Sequence, residues 1–124
     1  MWIVQLADEF EPEFMRLSDE VQNEAIAVMS LLQKIGPQLA RPRVDTLKES
    51  RYANMKELRF DADGGVWRLA FAFDPERKAI VLVAGDKSGG SEKRFYRELI
   101  RKADIRFKAH LEHLEERGHH GKKS

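Results

Sequence analysis

Residues 56–73, KELRFDADGGVWRLAFAF, decide the fold, because they read as two strands joined by a tight turn. Asp63-Gly64 is a favoured hairpin dipeptide. With the loop centred there, Leu58 faces Leu69, Arg59 faces Arg68 and Phe60 faces Trp67. Side chains alternate along a strand. Leu58, Phe60, Trp67, Leu69, Phe71 and Phe73 therefore fall on one side, the core side. Arg59 and Arg68 fall on the other, directly across from each other, where like charges destabilise a sheet. Something must compensate. Two answers stay open from the hairpin alone: an anion bound between the guanidiniums, or a carboxylate partner among Glu57, Asp61, Asp63 and Asp86.

Outward from the hairpin, Ala79 to Gly85 (AIVLVAG) is apolar on both faces, as a central strand is. Asp74-Pro75 makes the turn before it. Trp2 to Leu6 reads as a short first strand. Phe14, Leu17, Val21, Ala25, Val28, Leu32 and Ile35 recur at helical steps. Ser18-Asp19 can cap a second helix within that stretch, and Gly36-Pro37 ends it. Residues 38–54 have no clear period and read as a long, partly extended connection exposing Arg41, Arg43, Lys48 and Arg51. Ser91 caps a last amphipathic helix carrying Tyr96, Leu99, Ile100, Ala103, Phe107, Leu111 and Leu114. The order is an α+β layer architecture: one antiparallel-rich sheet with helices covering one face. Residues 1–116 form a single domain, and residues 117–124 (RGHHGKKS) a disordered tail.

The 124 residues suffice for one domain with a real core. Net charge is +1, but residues 1–35 hold seven acids against Arg16 and Lys34, a net of −5, which leaves +6 for the rest. That asymmetry suits binding a polyanion on one side, and equally suits two solvated surfaces. The absence of cysteine excludes disulfides and thiolate chemistry. No stretch approaches a membrane span, and the opening MWIVQLADEF is not a signal peptide, so a cytoplasmic protein is expected, with no membrane partner.

On the open face, Arg59, Arg68 and Lys87 converge at one end of the sheet beside the small residues Ala70 and Ala72. If Val81, Val83 and Gly85 point the same way, that face is a shallow cup with cationic walls, suited to a phosphodiester. His110 and His113 stand one turn apart but nothing completes a metal site, so both read as solvated. His119 and His120 read as part of a flexible end. GDKSGG (85–90) lacks the order of a phosphate loop. No cofactor is called for.

Taken together, LLQKIGPQLARPRVDTLK (31–48), MKELRF (55–60), GGVWRLAFAFDPERKAIVLVAGDK (64–87) and FYRELIRKADIRF (95–107) resemble the RelE/ParE superfamily of toxin–antitoxin toxins, in its phage-derived HigB-like branch. The resemblance covers residues 2 to 114. It implies a RelE-like twisted antiparallel-rich sheet with an N-terminal helical hairpin and a C-terminal helix. It also implies a metal-independent messenger-RNA endoribonuclease that acts on the ribosome and is held in check by a helix-turn-helix (Xre-type) antitoxin. The family's basic groove carries over to Lys56, Arg59, Arg68 and Lys87, with Tyr96 as a further candidate. Arg41, Arg43, Arg51, Lys93 and Arg94 are the expected RNA-binding residues. Many relatives follow the last strand with Phe-x-Lys-Lys and then Lys-Thr-Pro. Here the stretch is GDKSGGSEKRF, with one lysine kept as Lys87; this leaves the acid–base group open among Lys56, Lys87 and Tyr96, with Lys93 or Arg94 as a substitute from the helix start.

In that chemistry the 2′-hydroxyl of RNA is the nucleophile. Arg59 and Arg68 would stabilise charge on the phosphorus-bound oxygens, and crowding by cations would lower a lysine pKa towards a useful range. Two other readings stand beside it. One is a ParE-like toxin that poisons gyrase without nuclease chemistry. The other is an antitoxin-binding module whose catalytic set has decayed.

Overall fold

A computed structural model describes the backbone of residues 1–123 and the side chains of residues 1–118. The elements run β1 (Val4–Leu6), α1 (Phe10–Met15), α2 (Asp19–Ile35), β2 (Val44–Thr46), β3 (Lys56–Ala62), β4 (Gly65–Phe73), β5 (Ala79–Asp86) and α3 (Glu92–Lys123). One sheet holds all five strands in the order β1-β5-β4-β3-β2. β1 pairs parallel with β5, and every other pair is antiparallel. The class is α+β, a mostly antiparallel open sheet with an N-terminal helical pair and a C-terminal helix.

The hairpin has the expected register, with Leu58 opposite Leu69, Arg59 opposite Arg68 and Phe60 opposite Trp67. Asp63 (φ 54°) and Gly64 (φ 74°) both take the positive φ that a two-residue turn of this hand requires. Ser18 caps α2 by accepting from the Val21 amide at 3.2 Å, and its hydroxyl donates to Asp63 Oδ2 at 3.0 Å. The hairpin turn is thereby tied to the helix start.

The structure differs from the expectation in three places. Residues 38–54 are not all connection: Val44–Thr46 forms β2, an edge strand paired with Lys56–Leu58 of β3. Three residues are too few for a periodicity, so only the partner strand defines them.

The second difference is that helices cover both faces. Paired residues share a face. Leu58, Phe60, Leu69 and Phe71 form the face that meets α2, whose Val21, Ala25, Val28 and Leu32 are buried. Each large side chain buried there is worth roughly 1.5–3 kcal/mol. The opposite face carries Ala70, Ala72, Val83 and Gly85, and α3 lies on it. A Cβ at Gly85 would stand 2.8 Å from the Phe95 ring, and Ala70 and Ala72 have no exposed surface. Small side chains make room for α3 here rather than leaving a hollow. A register shift at Ala70/Phe71 sends Val81 to the α2 face while Val83 and Gly85 stay with Arg68.

Third, a histidine of α3 (Glu92–Lys123) is bound rather than solvated. The side chains of His119 and His120, and Ser124 altogether, lie outside the described residues. Along α3, Arg106 forks onto Glu13 at 2.8 and 2.6 Å and donates to the Leu82 carbonyl at 2.8 Å. His110, expected to be solvated, instead has its Nε2 2.8 Å from the buried Asp74 Oδ2; His113 is exposed. Among the described residues, no helix is long and apolar enough to cross a membrane and no cluster of ligating side chains could hold a metal ion.

Candidate active site

Successive residues of β3 point to opposite faces, so Glu57 shares the face of Arg59, and both share it with Arg68 across the ladder. Glu57 is buried and sits among the cations. Its Oε2 accepts from Arg59 Nη2 at 3.0 Å, and its Oε1 lies 3.3 Å from Arg68 Nε. The Tyr96 hydroxyl, brought in by α3, donates to Glu57 Oε1 at 2.7 Å and accepts from Arg68 Nε at 3.3 Å. Asp45, from β2, adds a second carboxylate 3.3 Å from Arg59 Nη2 and 3.8 Å from Arg41 Nε. The charges alternate: Arg41, Asp45, Arg59, Glu57, Arg68.

This corrects the expectation of a bare cationic cup. The two arginines do stand opposite each other, but Glu57 bridges them and Asp45 adds a second negative charge on Arg59, so fixed carboxylates offset their repulsion. Of the other acids considered, Asp63 is engaged by Ser18, and Asp86 accepts from the Val66 and Ser88 amides and the Ser88 hydroxyl. Arg68 is nearly enclosed, with 9% of its side chain exposed, whereas Arg59 keeps 29% and forms the reachable edge of the network.

The environment sets the protonation. Burial pulls the Arg59 pKa down, but the hydrogen bond and charge of Glu57, with the charge of Asp45, outweigh it and leave it raised. Burial pushes the Tyr96 phenol above its ordinary value, and its bond to the Glu57 carboxylate adds to this. Tyr96 therefore stays a neutral donor. The cluster presents a buried carboxylate flanked by two guanidiniums and a phenol.

The remaining candidates divide. Lys87 joins the cluster: its ammonium lies 5.9 Å from the centre of the Tyr96 ring and 3.1 Å from Glu92 Oε1. Lys56 does not. It is paired with Phe71 on the α2 face, with its Nζ 3.4 Å from Thr46 Oγ1. Lys93 lines a cavity of about 540 Å³ beside Tyr96. Arg94 lies on the other flank of α3, in a cavity with Gly85 and Phe95. Arg43 faces α2 beside Glu24 and Phe60, and Arg51 lies over the Tyr52 ring at 5.7 Å. The five expected RNA-binding residues thus form no single track.

Two features escaped sequence reasoning. Glu57 figured there only as one of several possible partners for the arginines; its position two residues before Arg59 is the signal that puts it on their face. Arg97 and Arg101 follow Lys93 at steps of four, which places all three on one side of α3 and on the wall of the same cavity.

Residues 12–108 match the family described as Phage derived protein Gp49-like (DUF891). The chain is 43% identical over 101 residues to "Putative toxin HigB2" of Mycobacterium tuberculosis, covering 81% of this chain but only 50% of that protein. It is 42% identical over 103 residues to "Putative toxin HigB3" of the same organism, covering 83% of this chain and 88% of the relative. The chain thus spans about half the length of HigB2 and most of HigB3. No solved structure matches it.

Proposed function

Because this chain belongs to the phage-derived Gp49-like family and is a HigB-like toxin of the toxin–antitoxin kind, we propose that it acts by cutting messenger RNA on the ribosome without a metal ion. The observation that carries this reading is the buried Glu57 held within 3.3 Å of Arg59, Arg68 and Tyr96. Cleavage by the RNA's own 2′-hydroxyl needs a proton acceptor beside cations that can meet the charge growing on phosphorus. Glu57 supplies the acceptor, so no lysine has to start deprotonated and act as the base.

In this mechanism the scissile phosphate reaches Arg59, the exposed edge, and competes with Glu57 for its guanidinium. Glu57 Oε2, on that same side, takes the proton of the 2′-hydroxyl as the 2′-oxygen bonds to phosphorus. The bond to the 5′-oxygen breaks, and the Lys87 ammonium gives that oxygen a proton. Arg68 and Tyr96 hold the carboxylate in place. A codon presented unstacked on the ribosome would spare the protein from opening RNA structure. The partner that restrains it would be a helix-turn-helix antitoxin.

Mapping transcript 5′ ends after induction in growing bacteria tests the reading. Codon-phased cuts in translated regions are expected. Intact transcripts with DNA-damage signalling would replace it with gyrase poisoning, and intact transcripts with neither phenotype would leave an antitoxin-binding module.

A further inference from the structure

We propose that the cavity beside Tyr96 is a nucleotide subsite and that Glu49, on its wall, selects the base; this rests on the RNA-cutting reading above. The cavity measures about 540 Å³ and is lined by Glu49, Lys93, Tyr96, Arg97, Ile100 and Arg101. That volume lies in the range of small-ligand sites. The Tyr96 ring offers a face on which a base can stack, as aromatic residues do for single-stranded nucleic acid, and the buried Ile100 an apolar floor. Lys93, Arg97 and Arg101, one turn apart on α3, are placed for the flanking phosphates.

Glu49 does not fit a site that only tracks a backbone, because a carboxylate repels phosphate. It is exposed, and among the described residues it makes no ion pair although three cations share its cavity. The segment that follows it is held to α3: the Ser50 hydroxyl donates to Asp104 Oδ1 at 2.5 Å and the Arg51 amide to Asp104 Oδ2 at 3.1 Å. An ionised carboxylate only accepts hydrogen bonds. It therefore matches base edges that donate. Guanine offers two adjacent donors, N1–H and the N2 amino group, to its two oxygens. Cytosine and adenine offer an amino group beside an acceptor. Uracil offers one N–H between two carbonyls, which the carboxylate disfavours. The subsite accordingly prefers guanine and rejects uracil.

The test uses the purified full chain and trinucleotides 2′-O-methylated throughout, so that they cannot be cleaved, differing only in the central base. Binding is read by titration calorimetry. The guanine oligomer is expected to bind roughly tenfold or more tighter than the uracil one, the scale of a good carboxylate or bidentate base contact. In Glu49→Ala that ratio falls to near one, whereas Arg97→Ala weakens all four oligomers alike. Equal affinities in the wild type, no binding at all, or a guanine preference that survives Glu49→Ala would each overturn the inference. The transcript map judges the nuclease reading separately. Cuts that persist with unchanged base usage in Glu49→Ala sink the subsite and spare the nuclease. A guanine preference without transcript cutting sinks the nuclease and spares the subsite.

Discussion

The Tyr96 hydroxyl donates to Glu57 Oε1 at 2.7 Å, joining residues 39 apart in sequence. The bond ties the start of α3 to the one carboxylate that separates two opposed guanidiniums. Stability and the proposed chemistry meet at this cluster, and substitutions there should separate them.

Glu57 and Arg68 should behave as a coupled pair. Removing one partner of a buried ion pair leaves the other uncompensated and costs about 3–5 kcal/mol. Glu57→Ala is expected near the lower end, since Tyr96 still accepts from Arg68. In denaturant melts, the double change Glu57→Leu with Arg68→Leu should lose clearly less than the sum of the single changes. Additive losses would mean that the two side chains do not interact.

Cleavage should separate residues that share the Glu57 face from Lys56, which does not. Loss of a positioned acid or base typically costs 10²–10⁴ in rate, so Glu57→Gln should slow cutting by roughly that much. Arg59→Ala should cost about a hundredfold or more with little loss of stability, because Arg59 is the partly exposed member. Arg68→Ala should reduce both. Lys56→Ala should leave the rate within a few fold. Quantitative mapping of cut ends, paired with circular dichroism of each variant, reads both effects.

The phenol of Tyr96 gives a signature at high pH. Its pKa lies above the ordinary 10.0, first through burial and then through Glu57. A raised pKa means the folded state favours the protonated phenol. That contribution is fully present below the unfolded value and fades as pH climbs through the folded one. The stability gap between wild type and Tyr96→Phe should stay constant up to about pH 10 and narrow above it. Phenolate absorbance, compared between the two proteins, should place Tyr96 late in the titration.

Acid should loosen the contact between α1 and α3. The Arg106 hydrogen bond, opposed by burial and aided by the Arg106 charge, holds the Glu13 pKa below 4.5. A depressed carboxylate stabilises the fold above its unfolded pKa and stops doing so as pH falls through its folded one. Glu13 is 36% exposed, so solvent screening keeps the effect to about 1 kcal/mol at most. Glu13→Gln should be less stable at neutral pH and should lose less on acidification. Thermal melts in acid and at neutral pH measure the difference; parallel losses in both proteins would remove Glu13 from the account.

Gly85 should resist a side chain. A Cβ there would approach the Phe95 ring at 2.8 Å, and overpacking of this kind typically costs about 1–3 kcal/mol. Gly85→Ala is expected to destabilise by that amount in chemical denaturation. An unchanged midpoint would mean that α3 can shift away freely.

The sequence by itself determined the hairpin, its register and the facing arginines, because a two-residue turn and strict alternation are local rules. It determined the break at Ser18 and the end of α2 at Gly36-Pro37 for the same reason. It also carried the family, since near-continuous matching stretches do not depend on where side chains point. What it left open was long-range. Val44–Thr46 is a strand only because β3 lies beside it. Ala70, Ala72 and Gly85 read as a hollow until α3 is laid on that face, and nothing local to them says which face a distant helix covers. Whether Arg59 and Arg68 await an anion or hold a carboxylate depended on packing as well. Glu57 is placed on their face by alternation alone, but its burial requires α3, and only burial turns a flexible surface acid into a fixed partner for both cations.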